Sequence, residues 1–308
     1  MAATQRSSSI IQIDGREIKL SRPEKVLFPE DGITKGDLVD YYRRISERML
    51  PHLKGRPLSV ERLPDGIGKA SFFQKAVPSY FPDWIGRATV AKVGGTVTHP
   101  VCDDAATLVY LANQACIVLH PWLSRADKPD RPDQMIFDLD PPQGDNGGVI
   151  QAAKDLKDLL DKMGLPAYLK TTGSRGLHVV VPLDRKEDFD SVRTFARAAA
   201  ETLVTRNPDL YTLEARKVNR GERVYIDINR NAYAQTAVAP YSVRAIAGAP
   251  IALPIEWSNL RKKNLLSTRM GIKDVELVLQ APDSWKDFGR HPARLGPARS
   301  ADRSRVTK

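Results

Sequence analysis

Apolar residues recur at helical spacing in four segments of this chain and alternate with polar residues in five shorter segments. The four segments predict helices at 35–50, 105–119, 149–163 and 187–205. The five shorter segments predict strands at 133–141, 168–170, 177–183, 213–218 and 223–229. The last two strands bracket residues 219–221, which predicts a β-hairpin. Because helices and strands intermix, the predicted fold class is α+β, an α/β sandwich.

Two of the predicted helices carry recognisable ends. Thr34 begins a capping-box pattern before the first helix. Asp103 or Asp104 can cap the second helix. Pro121 stops that helix, so His120 is predicted at its C-terminal end.

At 308 residues the chain is long enough for one large domain or two packed lobes. The predicted organisation is a disordered N-terminus over 1–9, a catalytic unit over 10–290 and a basic flexible tail over 291–308. No apolar run is long enough to span a membrane. The two cysteines, Cys102 and Cys116, lack the spacing of a zinc site and are predicted to be packing residues. We therefore expect a cytoplasmic, nucleoid-associated protein.

The charge of the chain adds the first indication of a partner. Lys and Arg number 47 against 37 Asp and Glu, for a formal net charge of +10. Such an excess favours a polyanion, above all nucleic acid. The alternative is an ordinary solvated basic surface, because the tail carries much of the excess.

Three carboxylates form the strongest candidate for catalysis. Asp138 and Asp140 alternate with Phe137 and Leu139, so both acids project from one face of a predicted strand. Asp227 lies on the polar face of another predicted strand. Acids that face one cavity repel each other, and divalent ions such as Mg²⁺ or Mn²⁺ relieve that repulsion. The alternative is turn chemistry or solvated charge at strand ends.

The loop 171–176 joins two predicted strands and is rich in hydroxyl and glycine residues. Its backbone amides, with Thr172, Ser174 and Arg175, suit the phosphates of a nucleotide. An ordinary hairpin loop explains the same residues. His178 follows the loop and can donate to a phosphate or be a core histidine.

Other basic and aromatic residues fit nucleic acid, although each also fits an ordinary role. The basic candidates are Lys25, Lys35, Arg220, Arg223, Arg230 and Arg244. Phe72 and Phe73 can stack on an unpaired base or belong to the core. His120 is open to the same two interpretations as His178.

As an ordered set, these segments resemble the polymerase domain of bacterial DNA ligase D, in the archaeo-eukaryotic primase superfamily. The resemblance covers about 21–288. The matching motifs are Lys25-Val26-Leu27-Phe28-Pro29, Thr34-Lys35, Gly55-Arg56-Pro57, Phe72-Phe73-Gln74-Lys75, His120-Pro121-Trp122, Asp138-Leu139-Asp140-Pro141, Thr172-Gly173-Ser174-Arg175-Gly176-Leu177-His178 and Ala239-Pro240-Tyr241-Ser242-Val243-Arg244. The family implies two packed α/β modules with mixed or antiparallel sheets and an active site between them.

The resemblance also implies a role for each candidate residue. The implied ligands of two metal ions, Mn²⁺ or Mg²⁺, are Asp138, Asp140 and Asp227. The implied nucleotide contacts are His120, Thr172, Ser174, Arg175, His178, Arg220, Arg230, Arg244, Phe72 and Phe73. The implied ligands of a downstream 5′-phosphate are Lys25 and Lys35. Two positions depart from the family pattern, since Thr172 stands where serine is common and Arg175 where lysine is common.

The implied activity is addition of nucleotides, with ribonucleotides preferred over deoxyribonucleotides, to 3′ ends of gapped or broken DNA in non-homologous end joining. The implied partners are DNA ends, the Ku end-binding protein and a DNA ligase, either as a separate chain or as a missing module. The initial Met1 and the irregular basic terminus favour a complete gene product over a fragment. A non-catalytic end-binding adaptor and a metal-dependent nuclease are the alternative functions.

Overall fold

The computed structural model describes residues 8–142, 147–262, 265–266 and 269–296. Its helices are α1 Lys35–Leu53, α2 Ala105–Asn113, α3 Gly147–Lys162, α4 Phe189–Arg206 and α5 Val275–Gln280. Its first nine strands are β1 Ser8–Ile13, β2 Arg16–Ser21, β3 Val26–Phe28, β4 Ile33–Thr34, β5 Leu58–Arg62, β6 Phe72–Gln74, β7 Gly86–Lys92, β8 Gly95–Val101 and β9 Cys116–Pro121. The others are β10 Ser124–Arg125, β11 Lys128–Pro132, β12 Gln134–Asp140, β13 Tyr168–Thr171, β14 Leu177–Pro182, β15 Tyr211–Thr212, β16 Val224–Asp227 and β17 Pro254–Ile255. The α+β expectation is confirmed.

The described residues form two compact units, each built from more than one stretch of the chain. The first unit comes from Met1–Trp122, Thr236–Leu253 and Arg269–Asp283. The second comes from Leu123–Gln235, Pro254–Thr268 and Ser284–Lys308. None of the helices in the described ranges combines the length and apolarity needed to cross a bilayer.

The first unit is built on a three-stranded antiparallel sheet in the order β6-β5-β9. The pairs β1-β2, β3-β4 and β7-β8 form separate two-stranded sheets. Helices α1 and α2 pack against each other, and one continuous hydrophobic cluster fills the unit. Cys102 and Cys116 are buried, free thiols within that cluster, which confirms them as packing residues.

Helix α1 begins where the sequence predicts. The Thr34 hydroxyl accepts from the Asp37 amide, and the Asp37 carboxylate accepts from the Thr34 amide, which completes the capping box. Tyr42 and Ile45 on its apolar face are fully buried. The helix continues to Leu53, a few residues past the predicted end.

The predicted helix over 105–119 is wrong in its second half. Helix α2 ends at Asn113, and Ala115 adopts a φ of 55°, a left-handed conformation that cannot continue a right-handed helix. Residues 116–121 form β9 instead, so His120 lies on a strand opposite Ser59. The segment is buried on nearly all sides, and periodicity alone cannot separate a buried strand from a buried helix.

The second unit contains a six-stranded sheet in the order β15-β16-β12-β14-β13-β17. Strands β15 and β16 are parallel, and every other pair is antiparallel. Helices α3 and α4 pack against each other and both contact β12. The predicted elements at 133–141, 149–163, 168–170, 177–183 and 187–205 are confirmed within a few residues.

The predicted hairpin of 213–218 with 223–229 is wrong. Strand β16 pairs with β12 and β15, and a short 3-10 turn occupies Lys217–Asn219. The Arg220 guanidinium donates to the carbonyls of Glu214 and Ala215, so side-chain bonds satisfy carbonyls that a hairpin would have paired. One of the two partners of β16, strand β12, therefore lies almost ninety residues earlier, which local patterning does not indicate.

Paired backbone continues past both predicted limits of the catalytic unit, 10 and 290. Strand β1 starts at Ser8. Ala293 forms a parallel bridge with Leu183 and is 8 % exposed. Residues 1–7 and 297–308 lie outside the described residues, so the predicted disorder and flexible tail remain predictions there.

Candidate active site

Four ionisable residues lie in one row across the six-stranded sheet of the second unit. Asp138 on β12 lies directly opposite His178 on β14 and Asp227 on β16. Lys170 on β13 lies opposite His178. Directly opposed residues project from the same face of a sheet. The antiparallel register therefore brings together side chains from four strands.

Asp138 is the centre of this row and is only 6 % exposed. His178 Nε2 lies 3.2 Å from its Oδ1, and Arg230 Nε lies 3.4 Å from its Oδ2. Among the residues that the structure describes, Oδ1 accepts no hydrogen bond of good geometry although it is buried. A buried carboxylate oxygen in that condition is available to a further ligand.

The ionisation of the row follows from its burial and its cations. Burial disfavours the charged Asp138, but His178, Arg230 and Lys170 outweigh that effect and hold the pKa of Asp138 below its usual range. Burial, followed by the charge of Lys170, lowers the pKa of His178 to about 4. At neutral pH the row therefore holds an ionised carboxylate beside a neutral imidazole.

Asp140 stands on the same face of β12, one pleat further along, opposite Tyr225. Burial and then the charge of Asp138 raise the pKa of Asp140 to about 6. Its cation is Arg220, whose Nη1 lies 3.9 Å from Oδ2 and whose guanidinium stacks 3.9 Å from the Tyr225 ring centroid. The raised pKa shows that nearby positive charge compensates this carboxylate only in part.

Asp227 is held by its own strand end. Its Oδ1 accepts from the Tyr225 hydroxyl at 3.1 Å and from the Asn229 amide at 2.8 Å. Its Oδ2 faces Arg230, whose Nε lies 3.7 Å away. One oxygen is thus fixed by the protein while the other points to the side shared with Asp138.

Arginines, rather than acids alone, shape the charge balance of this site. Over the described ranges, no three His, Cys, Asp or Glu side chains meet as a ready metal site. Arg230 contacts both Asp138 and Asp227, and Arg220 approaches Asp140. The structure thus places both arginines beside the carboxylates, while their role as nucleotide contacts remains a prediction.

The loop after β13 is braced by Thr172. Its hydroxyl donates to the Gly176 carbonyl and accepts from the Ser174 and Gly176 amides. These bonds engage the Thr172 hydroxyl and two loop amides within the loop itself, and the predicted binding of phosphate by this loop remains a prediction. A Cβ on Gly176 would lie 2.4 Å from the Leu139 carbonyl oxygen. Only glycine fits, and the loop is thereby held against the end of β12 beside Asp140.

The outer side chains of this loop remain accessible. Arg175 is exposed and Ser174 is half-buried, so both are free to meet a ligand. His178 is 2 % exposed and faces Asp138. The structure therefore divides the predicted phosphate residues into loop braces, accessible donors and a buried partner of Asp138.

Arg223, in the second unit, donates to the Arg220 and Asn219 carbonyls, and the remaining predicted residues lie in the first unit. Lys25 and Lys35 are brought together, since the Lys35 amide donates to the Lys25 carbonyl at 2.8 Å. Phe73 packs against His120, with ring centroids 5.5 Å apart. Arg244 is half-buried on a turn where its amide donates to the Pro250 carbonyl.

The two phenylalanines are surface residues. Phe72 is 48 % exposed and Phe73 is 56 % exposed. The Arg62 guanidinium lies 5.5 Å from the Phe72 ring centroid. This exposure decides against the core interpretation and leaves a surface that suits stacking.

Sequence reasoning missed Lys170 and Tyr225. Lys170 could have been found by counting back through the hairpin, because the loop length places it opposite His178. Tyr225 shares a face with Asp227 at a spacing of two. No signal in the sequence shows that its hydroxyl meets the Asp227 carboxylate.

Comparison with known proteins assigns this chain to a family. The family model "LigD, primase-polymerase domain" matches residues 34–285. The multifunctional non-homologous end joining protein LigD of Mycobacterium bovis is 35 % identical over 254 residues, which are 80 % of this chain and 34 % of that protein. The bifunctional LigD of Bacillus subtilis is 33 % identical over 248 residues, 80 % of this chain and 40 % of that protein. The chain thus spans about a third of the length of the relatives it matches.

A solved structure agrees over nearly the whole chain. The polymerase domain from Mycobacterium tuberculosis Ligase D, in complex with DNA, superposes with a TM-score of 0.84 at 31 % identity. The match covers 90 % of this chain and 99 % of that one. Because the family model, the relatives and the fold agree, this chain belongs to the LigD primase-polymerase family.

Proposed function

We propose that this protein is a metal-dependent nucleotidyltransferase that extends 3′ ends of gapped or broken DNA in non-homologous end joining. The observation that carries the proposal is the row in which Asp138 and Asp227 lie opposite each other on adjacent strands, inside a chain of the LigD primase-polymerase family. The named activity of the relatives, end joining, supplies the context.

The carboxylates fit divalent cations. They offer hard oxygen donors on one face of the sheet, and Asp138 Oδ1 is buried 3.2 Å from His178 Nε2 but accepts no hydrogen bond of good geometry among the described residues. Asp138, Asp140 and Asp227 would hold two ions, Mn²⁺ or Mg²⁺. When bound, such ions activate a 3′-hydroxyl and neutralise charge on the transferred phosphoryl group.

The protein's own groups would orient the nucleotide. Ser174 and Arg175 offer accessible donors on a loop that Thr172 and Gly176 hold in place. Arg220 and Arg230 carry positive charge beside the carboxylates and would stabilise the negative charge of a triphosphate. His178, neutral at pH 7, would keep Asp138 in position without adding a charge.

The first unit offers groups for DNA and for the nucleotide base. Lys25 and Lys35 lie together and would bind a downstream 5′-phosphate. The exposed Phe72 and Phe73 rings would stack on bases, beside His120. Arg244, in the same unit, is a proposed nucleotide contact through the family resemblance. A preference for ribonucleotides and for Mn²⁺ belongs to the proposal through the family resemblance.

The proposed partners follow from the relatives. They are named as multifunctional or bifunctional end-joining proteins, and this chain matches about a third of their length. We therefore propose that the protein acts with a DNA ligase and with the Ku end-binding protein. Retention of the protein on immobilised, Ku-bound DNA ends would test the second partner, and retention equal to that on bare ends would contradict it.

Primer extension on a gapped duplex with a 5′-phosphate tests the activity. Wild type, Asp138→Ala and the control Asp158→Asn are compared in Mn²⁺ with ribonucleotides or deoxyribonucleotides. Asp158 is an exposed acid on α3, so its variant changes charge without touching the row. We expect extension by wild type and control, faster with ribonucleotides, and none by Asp138→Ala.

The same gel separates the alternatives. Appreciable extension by Asp138→Ala would overturn the catalytic role of that carboxylate. Shortening of the labelled primer would indicate a nuclease, because paired acids with two metals also serve hydrolysis. Intact DNA binding by a wild type that neither extends nor shortens the primer would indicate a non-catalytic adaptor.

A further inference from the structure

The lysine pair of the first unit already holds an anion of the protein. Lys25 Nζ donates to Asp65 Oδ1 at 2.6 Å. Lys35 Nζ donates to the Ser21 hydroxyl at 2.9 Å. Arg22 adjoins both lysines, because its carbonyl accepts from the Lys25 amide and its charge acts on Lys35. Asp65 is therefore an acid that pairs with Lys25, one of three neighbouring cations.

Positive charge is crowded in this cluster. Lys35 is only 5 % exposed. Burial, then Arg22, then Lys25 lower the pKa of Lys35 to about 8, while Glu24 acts in the opposite direction. Such a cluster is stabilised by an anion, and Asp65 supplies one negative charge.

The position of Asp65 is built into the backbone. The next residue, Gly66, has a φ of +86°, and a Cβ there would lie 2.7 Å from the Leu27 carbonyl oxygen. The Ile67 amide donates to that same carbonyl at 2.8 Å. Because β3 contains Leu27, two residues from Lys25, this contact holds the Asp65 loop beside the lysine.

Backbone amides at the start of α1 do not complete the cluster. The Lys35 amide donates to the Lys25 carbonyl, the Gly36 amide to the Pro23 carbonyl and the Asp37 amide to the Thr34 hydroxyl. These three amides are therefore engaged within the protein, and the cationic side chains are the groups that we expect to bind an arriving anion. Lys25 can donate fully to that anion only when its ion pair with Asp65 breaks. The Asp65 side chain is 74 % exposed, so it has room to move away.

We propose that Asp65 is the resident counterion of this pocket and that a terminal 5′-phosphate binds by displacing it. The inference rests on the proposed recognition of a 5′-phosphate. At neutral pH a terminal phosphate carries about 1.5 to 2 negative charges. An internal phosphodiester carries a single negative charge, as Asp65 does. Exchange therefore favours the terminal phosphate, and Asp65 reduces occupation of the pocket by weaker anions.

Fluorescence anisotropy on gapped duplexes tests the exchange. Each protein is titrated with DNA that carries a 5′-phosphate or a 5′-hydroxyl at the gap, at low salt. Wild type is compared with Asp65→Asn and with the control Asp83→Asn, an exposed acid of the same unit that pairs with Arg87. We expect Asp65→Asn to tighten binding of the phosphorylated duplex about threefold. Binding of the hydroxyl duplex should match that of the control.

A double variant identifies the route of the effect. In a Lys25→Met background the gain from Asp65→Asn should disappear, because the counterion then has no lysine to release. Persistence of the full gain without Lys25 would overturn the proposal and indicate general charge repulsion of DNA.

Three outcomes of these titrations separate a failure of the role of Asp65 from a failure of 5′-phosphate recognition, on which that role rests. If wild type prefers the phosphorylated duplex and Asp65→Asn shows the same preference, only the role of Asp65 is overturned. If neither protein distinguishes the two duplexes, the proposed 5′-phosphate recognition fails and the inference fails with it. A preference that emerges only in Asp65→Asn would mean that the phosphate does not displace Asp65 in the wild type, and it would overturn the proposed exchange.

Discussion

Two regions of this protein place acidic and basic side chains close together, one in a buried sheet and the other near the surface. In the second unit, Asp138 is buried in a row of ionisable groups that strand register sets across a sheet. In the first unit, Lys25 meets an acid that is 74 % exposed. The buried row has fixed partners on neighbouring strands, whereas the lysine pocket has a partner that solvent can replace.

The difference shows that burial decides whether a charged side chain can exchange its partner. A buried charge that loses its partner is strongly destabilising, since water cannot take the partner's place. An exposed pair contributes little to stability and exchanges readily with other ions. We therefore expect changes in the row to alter stability or catalysis strongly, and changes in the lysine pocket to alter binding modestly.

After Asp138→Ala, the largest effect is expected at Asp140. Asp140→Asn removes a carboxylate that Asp138 repels and should reduce nucleotide addition about 10³-fold. In a chelating buffer at pH 8 the same variant should unfold with a free energy about 1 kcal/mol higher than wild type, because that repulsion is gone. Steady-state extension assays and urea titrations measure the two quantities.

Asp158→Asn is the matched control for both measurements and should leave both unchanged. A variant that retained a tenth of the wild-type rate would contradict the role of Asp140 in catalysis. A loss of stability would contradict the idea that its carboxylate is repelled in the folded protein.

Lys170→Met tests whether the buried row needs its internal cation. Lys170 is 1 % exposed and contributes to the low pKa values of Asp138 and His178. Its removal should lower the free energy of unfolding by about 3 kcal/mol. Urea denaturation at pH 7.5 checks this, with Lys154→Met on the exposed face of α3 as control. Equal midpoints for the two variants would show that Lys170 does not stabilise the row.

Tyr225→Phe probes the positioning of Asp227 without altering charge. The variant keeps the ring on which Arg220 stacks and removes the hydroxyl that donates to Asp227 Oδ1. One lost hydrogen bond to a carboxylate should reduce kcat about tenfold while KM for the nucleotide changes by less than about twofold. Tyr233→Phe, whose ring packs against Phe189, serves as control. A rise in KM with an unchanged kcat would assign Tyr225 to nucleotide binding instead.

The smallest effect is expected in the exposed pocket and depends on pH. Lys35 has a pKa of about 8, lowered by burial, Arg22 and Lys25. Its charge is present below that value and is lost as pH rises through it. The preference for a 5′-phosphate duplex should therefore fall about threefold from pH 7 to pH 9. Anisotropy titrations measure it, and Lys35→Gln should show a weaker preference with no such fall.

Much of the second unit is predictable from local pattern. Helix α3, the strands β12 and β14 and the loop between β13 and β14 follow from periodicity and from glycine positions. The candidate carboxylates also follow, because a spacing of two places Asp138 and Asp140 on one face of any strand. The second half of the predicted helix over 105–119 fails because a fully buried strand and a fully buried helix present the same apolar composition.

The fold class, the residue types of the site and, through ordered motifs, the family can all be derived from the amino-acid sequence. These properties depend on side-chain chemistry and on spacing within single elements. Three contacts became known only from the tertiary structure: β16 lies beside β12, the Tyr225 hydroxyl donates to Asp227, and Asp65 forms an ion pair with Lys25. Each of these contacts joins groups whose meeting depends on strand order, side-chain direction or loop path. Those quantities are set by packing across the whole unit, so no local pattern encodes them.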